Sequence, residues 1–189
     1  MPLIVPGYHG SAIVRSTDTE VVGRAPTTAQ LLADSSATGG ALSTLRITLL
    51  DGADGAPPHR HNSCTEMLYL LDGTAHILSA DQVLTARTGD LVVVPPGRPH
   101  AFAAAPGSNA DLLVVVTPGV ERFGYFHHLQ RIALGQAPPE SLLEVQEAYD
   151  TYFLQSTEWN TARRAETGRW GRGGRRPPVP HLARRTVRR

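Results

Sequence analysis

Between Ser11 and Thr117 short runs of β-branched or apolar residues alternate with Gly, Pro and Asp turn signals, the pattern of an all-β sandwich or barrel. The strands it predicts are Ala12 to Arg15, Glu20 to Val22, Gln30 to Ala33, Ala41 to Leu50, Thr65 to Leu71, Ala75 to Ser79, Gln82 to Ala86, Leu91 to Val94, His100 to Ala103 and Asp111 to Val116. Asp72-Gly73 separates two of them and reads as a tight hairpin, because glycine tolerates the positive φ such a turn needs. Along the strands, Leu68, Leu70, Val92, Val94, Phe102 and Leu113 are expected to face inward, and Thr44, Arg46 and Thr48 to face solvent.

The pattern changes after Pro118. Phe123, Phe126, Leu129 and Ala133 recur at helical spacing within Glu121 to Leu134, and Gly135 ends that run. A second helix is expected near Ser141, with Leu142, Val145, Tyr149 and Tyr152 or Phe153 on its buried side. From about Ala162 onward Arg, Gly and Pro dominate, and too little apolar surface is available to offset the entropy of ordering. The expected organisation is therefore a barrel over residues 1–118, a helical extension packed on it over 119–161, and a flexible Arg-rich tail over 162–189.

Composition narrows the classes. A chain of 189 residues, 41% hydrophobic and 19% charged, is that of an ordinary globular protein with one domain. No run approaches the ~20 apolar residues of a spanning helix, and the N-terminal Met1-Pro2-Leu3-Ile4 lacks the basic start of a secretory signal, so a cytoplasmic location without membrane contact is expected. Cys64 is the only cysteine, which excludes an intrachain disulfide and a zinc site built from several thiolates. All eighteen basic residues are arginine. Ten of them lie in residues 162–189 against the single acid Glu166, so the net charge of +1 divides into +9 on the tail and −8 on the remainder. The tail reads as a solvated segment, with no specific nucleic-acid partner expected.

Candidate chemistry comes from histidine and glutamate. In an extended segment His59 and His61 project from one face and can reach the same ion. Glu66 follows at an odd interval, so a turn at Asn62-Ser63 is needed to return its carboxylate to that face, where Cys64 also falls as a buried small residue. Pro96-Gly97 suits the centre of a type II turn, which fixes the chain direction before His100. His76 reads as exposed or as a neighbour of the site, and His127 and His128 as helix-surface residues.

Gly52, His59, His61, Glu66 and Gly73 resemble cupin motif 1, G(X)5HXH(X)3,4E(X)6G, with one extra residue before the first histidine. Gly89, Pro95, Gly97 and His100 resemble motif 2, G(X)5PXG(X)2H(X)3N, and depart from it only where Ala104 stands for asparagine. The resemblance, concentrated in residues 52–73 and 89–104, implies a jelly-roll barrel of two antiparallel sheets. It implies one divalent ion held by His59, His61, Glu66 and His100, for which Fe, Mn, Co, Ni, Cu and Zn all suit the donors. Among cupins the single barrel followed by helices looks most like the quercetinase-type dioxygenases. That likeness implies an aromatic or enolic substrate (a flavonol or a polyketide-like enol), dioxygen as co-substrate, Glu66 as ligand and proton acceptor, and a homodimer. A non-oxidative isomerase, cyclase or decarboxylase that uses the ion as a Lewis acid stays open, as does a non-catalytic small-molecule-binding cupin.

Overall fold

The computed structural model describes residues 11–170. After a short 3-10 turn at Ser16–Asp18, ten strands follow in order: β1 (Val21–Arg24), β2 (Thr27–Ala33), β3 (Ser43–Leu49), β4 (His59–Arg60), β5 (Thr65–Ser79), β6 (Gln82–Arg87), β7 (Leu91–Val94), β8 (His100–Ala104), β9 (Ala110–Thr117) and β10 (Tyr152–Phe153). Three helices, α1 (Phe123–Ala133), α2 (Ser141–Glu144) and α3 (Thr157–Trp170), lie after the barrel strands. No helix among the described residues is long and apolar enough to cross a membrane.

The strands form the jelly-roll that the cupin resemblance implies, with every pairing antiparallel. One wall runs β1-β2-β3-β9-β5-β7 and the other β6-β5-β8-β4-β10, so the long strand β5 belongs to both. Residues Thr65 to Tyr69 pair with β7 and β9, while Ala75 to Ser79 pair with β6 and β8. Asp72-Gly73 is thus no hairpin but the corner of a continuous strand, next to a register shift between Leu70 and Asp72. Gly73 is required there, at φ +84°, because a Cβ would stand 2.0 Å from the Asn109 carbonyl oxygen. A turn and a barrel corner share this residue preference, which is why the sequence reads either way.

Leu31, Leu45, Leu49, Leu68, Leu70, Ile77, Phe102 and Leu112 fill the core almost without exposure. The inward parity holds for Leu68, Leu70, Val94 and Phe102, and Val92 packs against the core half-buried. Leu113 is the error: Leu112, Val114 and Val116 are the buried set on β9, and Leu113 takes the outer face. Thr44, Arg46 and Thr48 lie on the outer side of β3, where Arg46 pairs with Asp111.

Two further segments differ from expectation. Ala12 to Arg15 forms no strand, and the expected second long helix is only the single turn of α2, after which the chain straightens into β10 and pairs with β4. The helical spacing of Leu142, Val145 and Tyr149 is outweighed by that tertiary pairing. Helix α3 begins at Thr157 and continues through Ala162 to Trp170, so the boundary drawn at residue 162 falls inside it; residues 171–189 lie outside the described residues. Trp159 anchors α3 against Leu78, Ala101 and Ala103.

Candidate metal centre

Four side chains converge in the barrel interior. His59 on β4 stands directly opposite His100 on β8, and their ring centroids are 4.1 Å apart. His61 follows β4, and its carbonyl accepts the Gly97 N–H at 2.6 Å, so the turn before His100 also fixes His61. Gly97 has φ +77°, as the central glycine of a type II turn requires. Glu66 shares the inward face of β5 with Leu68 and Leu70. All four are buried, and one ligand atom from each lies within 4.8 Å of every other.

The tautomers follow from the partners. The Nδ1 atoms of His59, His61 and His100 face the carbonyl oxygens of Pro57, Asp150 and Arg98. A carbonyl only accepts, so each Nδ1 carries the proton and each Nε2 directs a lone pair into the cluster. His100 Nε2 is 2.6 Å from a Glu66 carboxylate oxygen and His61 Nε2 is 3.6 Å from the same oxygen. Groups this close need a proton or a metal ion between them, and the backbone contacts at Nδ1 are of the kind that orient metal-bound imidazoles. The donor set fits a divalent transition-metal ion.

Electrostatics favour the ligating form at His59 and Glu66, while at His100 a proton shared with Glu66 competes for the position an ion would take. Burial, aided by the His100 charge, pushes His59 well below the usual imidazole value, which favours the neutral, ligating form. Burial acts to raise the Glu66 carboxyl, but hydrogen bonds and charge from His100 and His61 outweigh it and hold it well below the carboxylate range. His100 is displaced upward, because its contact with Glu66 overcomes its burial. Cys64 is buried and its thiol is pushed up to about 12, first by burial and then by Asp150, which favours the protonated thiol.

The centre opens onto a cavity of about 460 Å³. Its walls include His59 and Glu66, the barrel residues Val22, Leu45, Ile47 and Val114, and one side of α1. Phe126 and Leu129 thus cover the cavity rather than a solid core, and no residue of α1 is fully buried. His127 contacts Glu20 and His128 contacts Ser141, both away from the cluster, and His76 on β5 stands outside it too.

Sequence reasoning missed three residues around the site. Asp150, at φ +46°, accepts the backbone N–H groups of Asn62, Ser63 and Cys64 at 2.8, 2.9 and 3.2 Å while its carbonyl orients His61. It clamps the turn between two ligands. Asp34 accepts the N–H groups of Arg122 and Phe123 at 2.6 and 3.0 Å and so caps α1 from the opposite end of the barrel sequence. Arg122, buried at the start of α1, reaches His61 Nε2 at 3.2 Å. One signal was available: a cation at a helix N-terminus opposes the macrodipole and needs a reason for being there.

Residues 45–116 match the family model described as Cupin domain. Among curated proteins none matches the chain. Among solved structures it is similar to an RmlC-like cupin from Shewanella frigidimarina, with 19% identity over 61% of this chain and 98% of that one and a TM-score of 0.51. It is also similar to KdgF from Halomonas sp., with 14% identity over 58% and 94% of the two chains and a TM-score of 0.50. The polyketide cyclase RemF from Streptomyces resistomycificus is 23% identical over 57% of this chain and 79% of its own, with a TM-score of 0.48.

Proposed function

For this chain, which carries a cupin domain, we propose a metal-dependent oxygenase of the quercetinase-like kind, acting with dioxygen on an aromatic or enolic small molecule. The observation that carries the reading is the junction of a four-ligand cluster with an apolar cavity of about 460 Å³, a volume suited to a small aromatic molecule. His59, His61, Glu66 and His100 would hold the ion. A divalent ion there supplies Lewis acidity toward a substrate oxygen and open positions for a second ligand.

The protein's own contribution is placement and proton handling. Val22, Leu45, Ile47, Val114 and Phe126 exclude water and seat a flat apolar body beside the cluster. Glu66 faces both the cavity and the histidines, so its ionised carboxylate is the base placed to accept the proton of an enolic or phenolic hydroxyl. The deprotonated substrate is the electron-rich partner dioxygen requires. The rival is a non-oxidative reaction in the same cavity, because the donor set serves a Lewis acid equally well.

The test is oxygen-electrode activity across flavonols and polyketide-like enols, with protein loaded separately with Fe, Mn, Co, Ni and Cu. Oxygen uptake with at least one pair is the expected result, and Glu66→Gln should retain much of its metal while losing most turnover. Anaerobic conversion of such a compound, with no uptake by any metal form, would replace this reading with the Lewis-acid one.

A further inference from the structure

The side of α1 that faces the cavity carries a tyrosine whose hydroxyl is taken up by nothing among the described residues. From the cap of the helix onward, Arg122, Tyr125, Phe126, Leu129, Gln130 and Ala133 all line the cavity, and their spacing of three and four places them on one helical face. Arg122 reaches His61 at 3.2 Å, so the start of α1 is the end of this stripe nearest the cluster. Tyr125 follows about one turn later, and helical side chains lean toward the N-terminus, which carries its ring back toward that end. The ring centroid lies 5.8 Å from the Arg122 guanidinium, and the ring meets Phe126 and Tyr149 edge-on at 5.4 and 5.6 Å. These neighbours fix the phenol before any ligand arrives.

The hydroxyl is what this packing leaves unused. Buried tyrosine oxygens usually find a hydrogen-bond partner, yet among the described residues none is bonded to this one. It is not sealed in the interior, as Arg122 Nε is, and so keeps surface on which a partner can sit. Glu66, on the wall of the same cavity, is close enough for its charge to act on the hydroxyl but makes no hydrogen bond with it. Burial pushes the phenol up to about 12, with Arg122 working against the shift and Glu66 adding to it, so it holds its proton across the neutral range. Arg122 has other duties: its Nη1 donates to the Tyr149 carbonyl and to Thr151 Oγ1, its Nη2 faces His61, and its guanidinium stands over the Tyr125 ring. The cavity therefore holds a carboxylate that can take a proton and a phenol that keeps its own, set apart from each other. A substrate oxygen lying between them can donate to the first and accept from the second.

We propose that Tyr125 is a specificity-determining residue whose O–H donates a hydrogen bond to the substrate oxygen that surrenders its proton to Glu66, and so selects enols and phenols over molecules of the same shape without a hydroxyl. In that exchange the substrate O–H bond breaks and a carboxyl O–H bond forms on Glu66. The electron pair stays on the substrate oxygen, and the Tyr125 O–H remains whole. A donor already fixed in a water-poor cavity favours the developing negative charge without reorganising. The inference rests on the function proposed above in taking the cavity as the substrate site and Glu66 as the base, and not on the reaction being oxidative.

The experiment is equilibrium dialysis of the full chain, loaded with zinc so that no oxidation intervenes, against 2-naphthol and 2-methylnaphthalene, which share a flat apolar body and differ in the hydroxyl. Tyr125→Phe keeps the ring and its contacts with Arg122, Phe126 and Tyr149, and 2-methylnaphthalene reports whether the cavity survives the change. The variant should bind 2-naphthol about tenfold more weakly, the size expected of a hydrogen bond to a charged oxygen. Its affinity for 2-methylnaphthalene should stay within about twofold. The ratio of ionised to neutral bound naphthol, read from the naphtholate absorbance at neutral pH, should also fall about tenfold, a change that a purely structural role would not produce. A parallel loss of both ligands makes Tyr125 a wall residue only and overturns the proposal, as does naphthol binding that the substitution leaves unchanged or that the unaltered protein lacks. Any of these results alongside oxygen uptake by the unaltered protein with an enol removes only the role of Tyr125. The selective loss of naphthol, without oxygen uptake by any metal form, retains that role and removes the oxygenase.

Discussion

The barrel strands that carry the ligands and the C-terminal layer that covers them meet at one cavity, yet they are built differently. His59 and His100 are paired across one ladder, the neighbouring turn fixes His61, and Glu66 sits on a strand shared by both walls. Their positions are set by repeated backbone hydrogen bonds. The C-terminal layer has no fully buried residue in α1 and reaches the cluster through single residues, Arg122 and Asp150, whose contacts with His61 span 61 and 89 positions. On the proposed reading, the barrel backbone would decide whether a metal binds, and the covering layer how tightly and beside what.

The largest effect expected from this division is loss of metal when one of the four candidate ligands is removed. His61→Ala and His100→Ala should each weaken binding by more than about 100-fold, beyond what loss of an orienting partner costs. Metal analysis after dialysis checks it, and stoichiometric retention in both variants would break the distinction between ligand and cover.

The same division explains what could be read from residues alone. His59, His61, Glu66 and His100 lie within two compact motifs, and the resemblance of those motifs to the cupin pattern grouped them where strand parity alone would have left Glu66 on the opposite face. The barrel was legible because alternation and turn residues recur along it, although the Asp72-Gly73 corner imitates a hairpin. Asp150 and Arg122 were not legible as parts of the site: one sits between a short helix and a two-residue strand, the other before a helix, and only tertiary contact gives either a role. The long helix expected after Ser141 failed for a related reason, since β10 pairs with β4 and local periodicity carries no record of that partner.

Asp150 should show the next largest effect. Asp150→Ala strips three backbone N–H groups of their acceptor and places a non-glycine residue without side-chain support at φ +46°. Metal affinity should fall about 10- to 100-fold, with a stability loss of about 3 kcal/mol in thermal or denaturant unfolding. Burial acts to raise this carboxyl, but the N–H groups of Asn62 and Ser63 outweigh it and set it below its ordinary 3.8. A pKa lowered by folding stabilises above the unfolded value and ceases to as pH falls through the folded one. Acid titration of the metal-free protein should therefore lose this contribution below about pH 4. Asp150→Asn, which tolerates the backbone conformation, should flatten that limb; an unchanged acid limb would remove Asp150 from the account.

Helix α3 should affect stability without affecting the metal. Trp159 is buried on the outer side of β8, and Arg163 donates to the Gly52 and Ala104 carbonyls at 2.7 and 2.9 Å. Trp159→Ala should cost about 3 kcal/mol, and truncation after Thr161, which removes Arg163, about 1 to 2 kcal/mol. Metal stoichiometry should remain intact in both. Loss of metal from the truncated chain would extend the covering layer to α3.

The smallest effect belongs to the outer wall. Arg46 on β3 pairs with Asp111 on β9, and this contact raises the guanidinium pKa although burial works weakly against it. The arginine side chain is 46% exposed, so solvent screens the attraction, and the pair should contribute less than about 1 kcal/mol. Arg46→Ala should shift the unfolding midpoint slightly, the shift should shrink as salt is raised, and metal affinity should stay within about twofold. The core layer between β3 and the ligands is the physical reason: Leu45 and Ile47 point inward while Arg46 points out, so losing its charge alters nothing that touches the imidazoles. A drop in metal affinity of tenfold or more in Arg46→Ala would mean that the strand ladder transmits outer-face changes to the centre. The barrel would then tune the site as well as position it, and the separation of roles between wall and cover would fail.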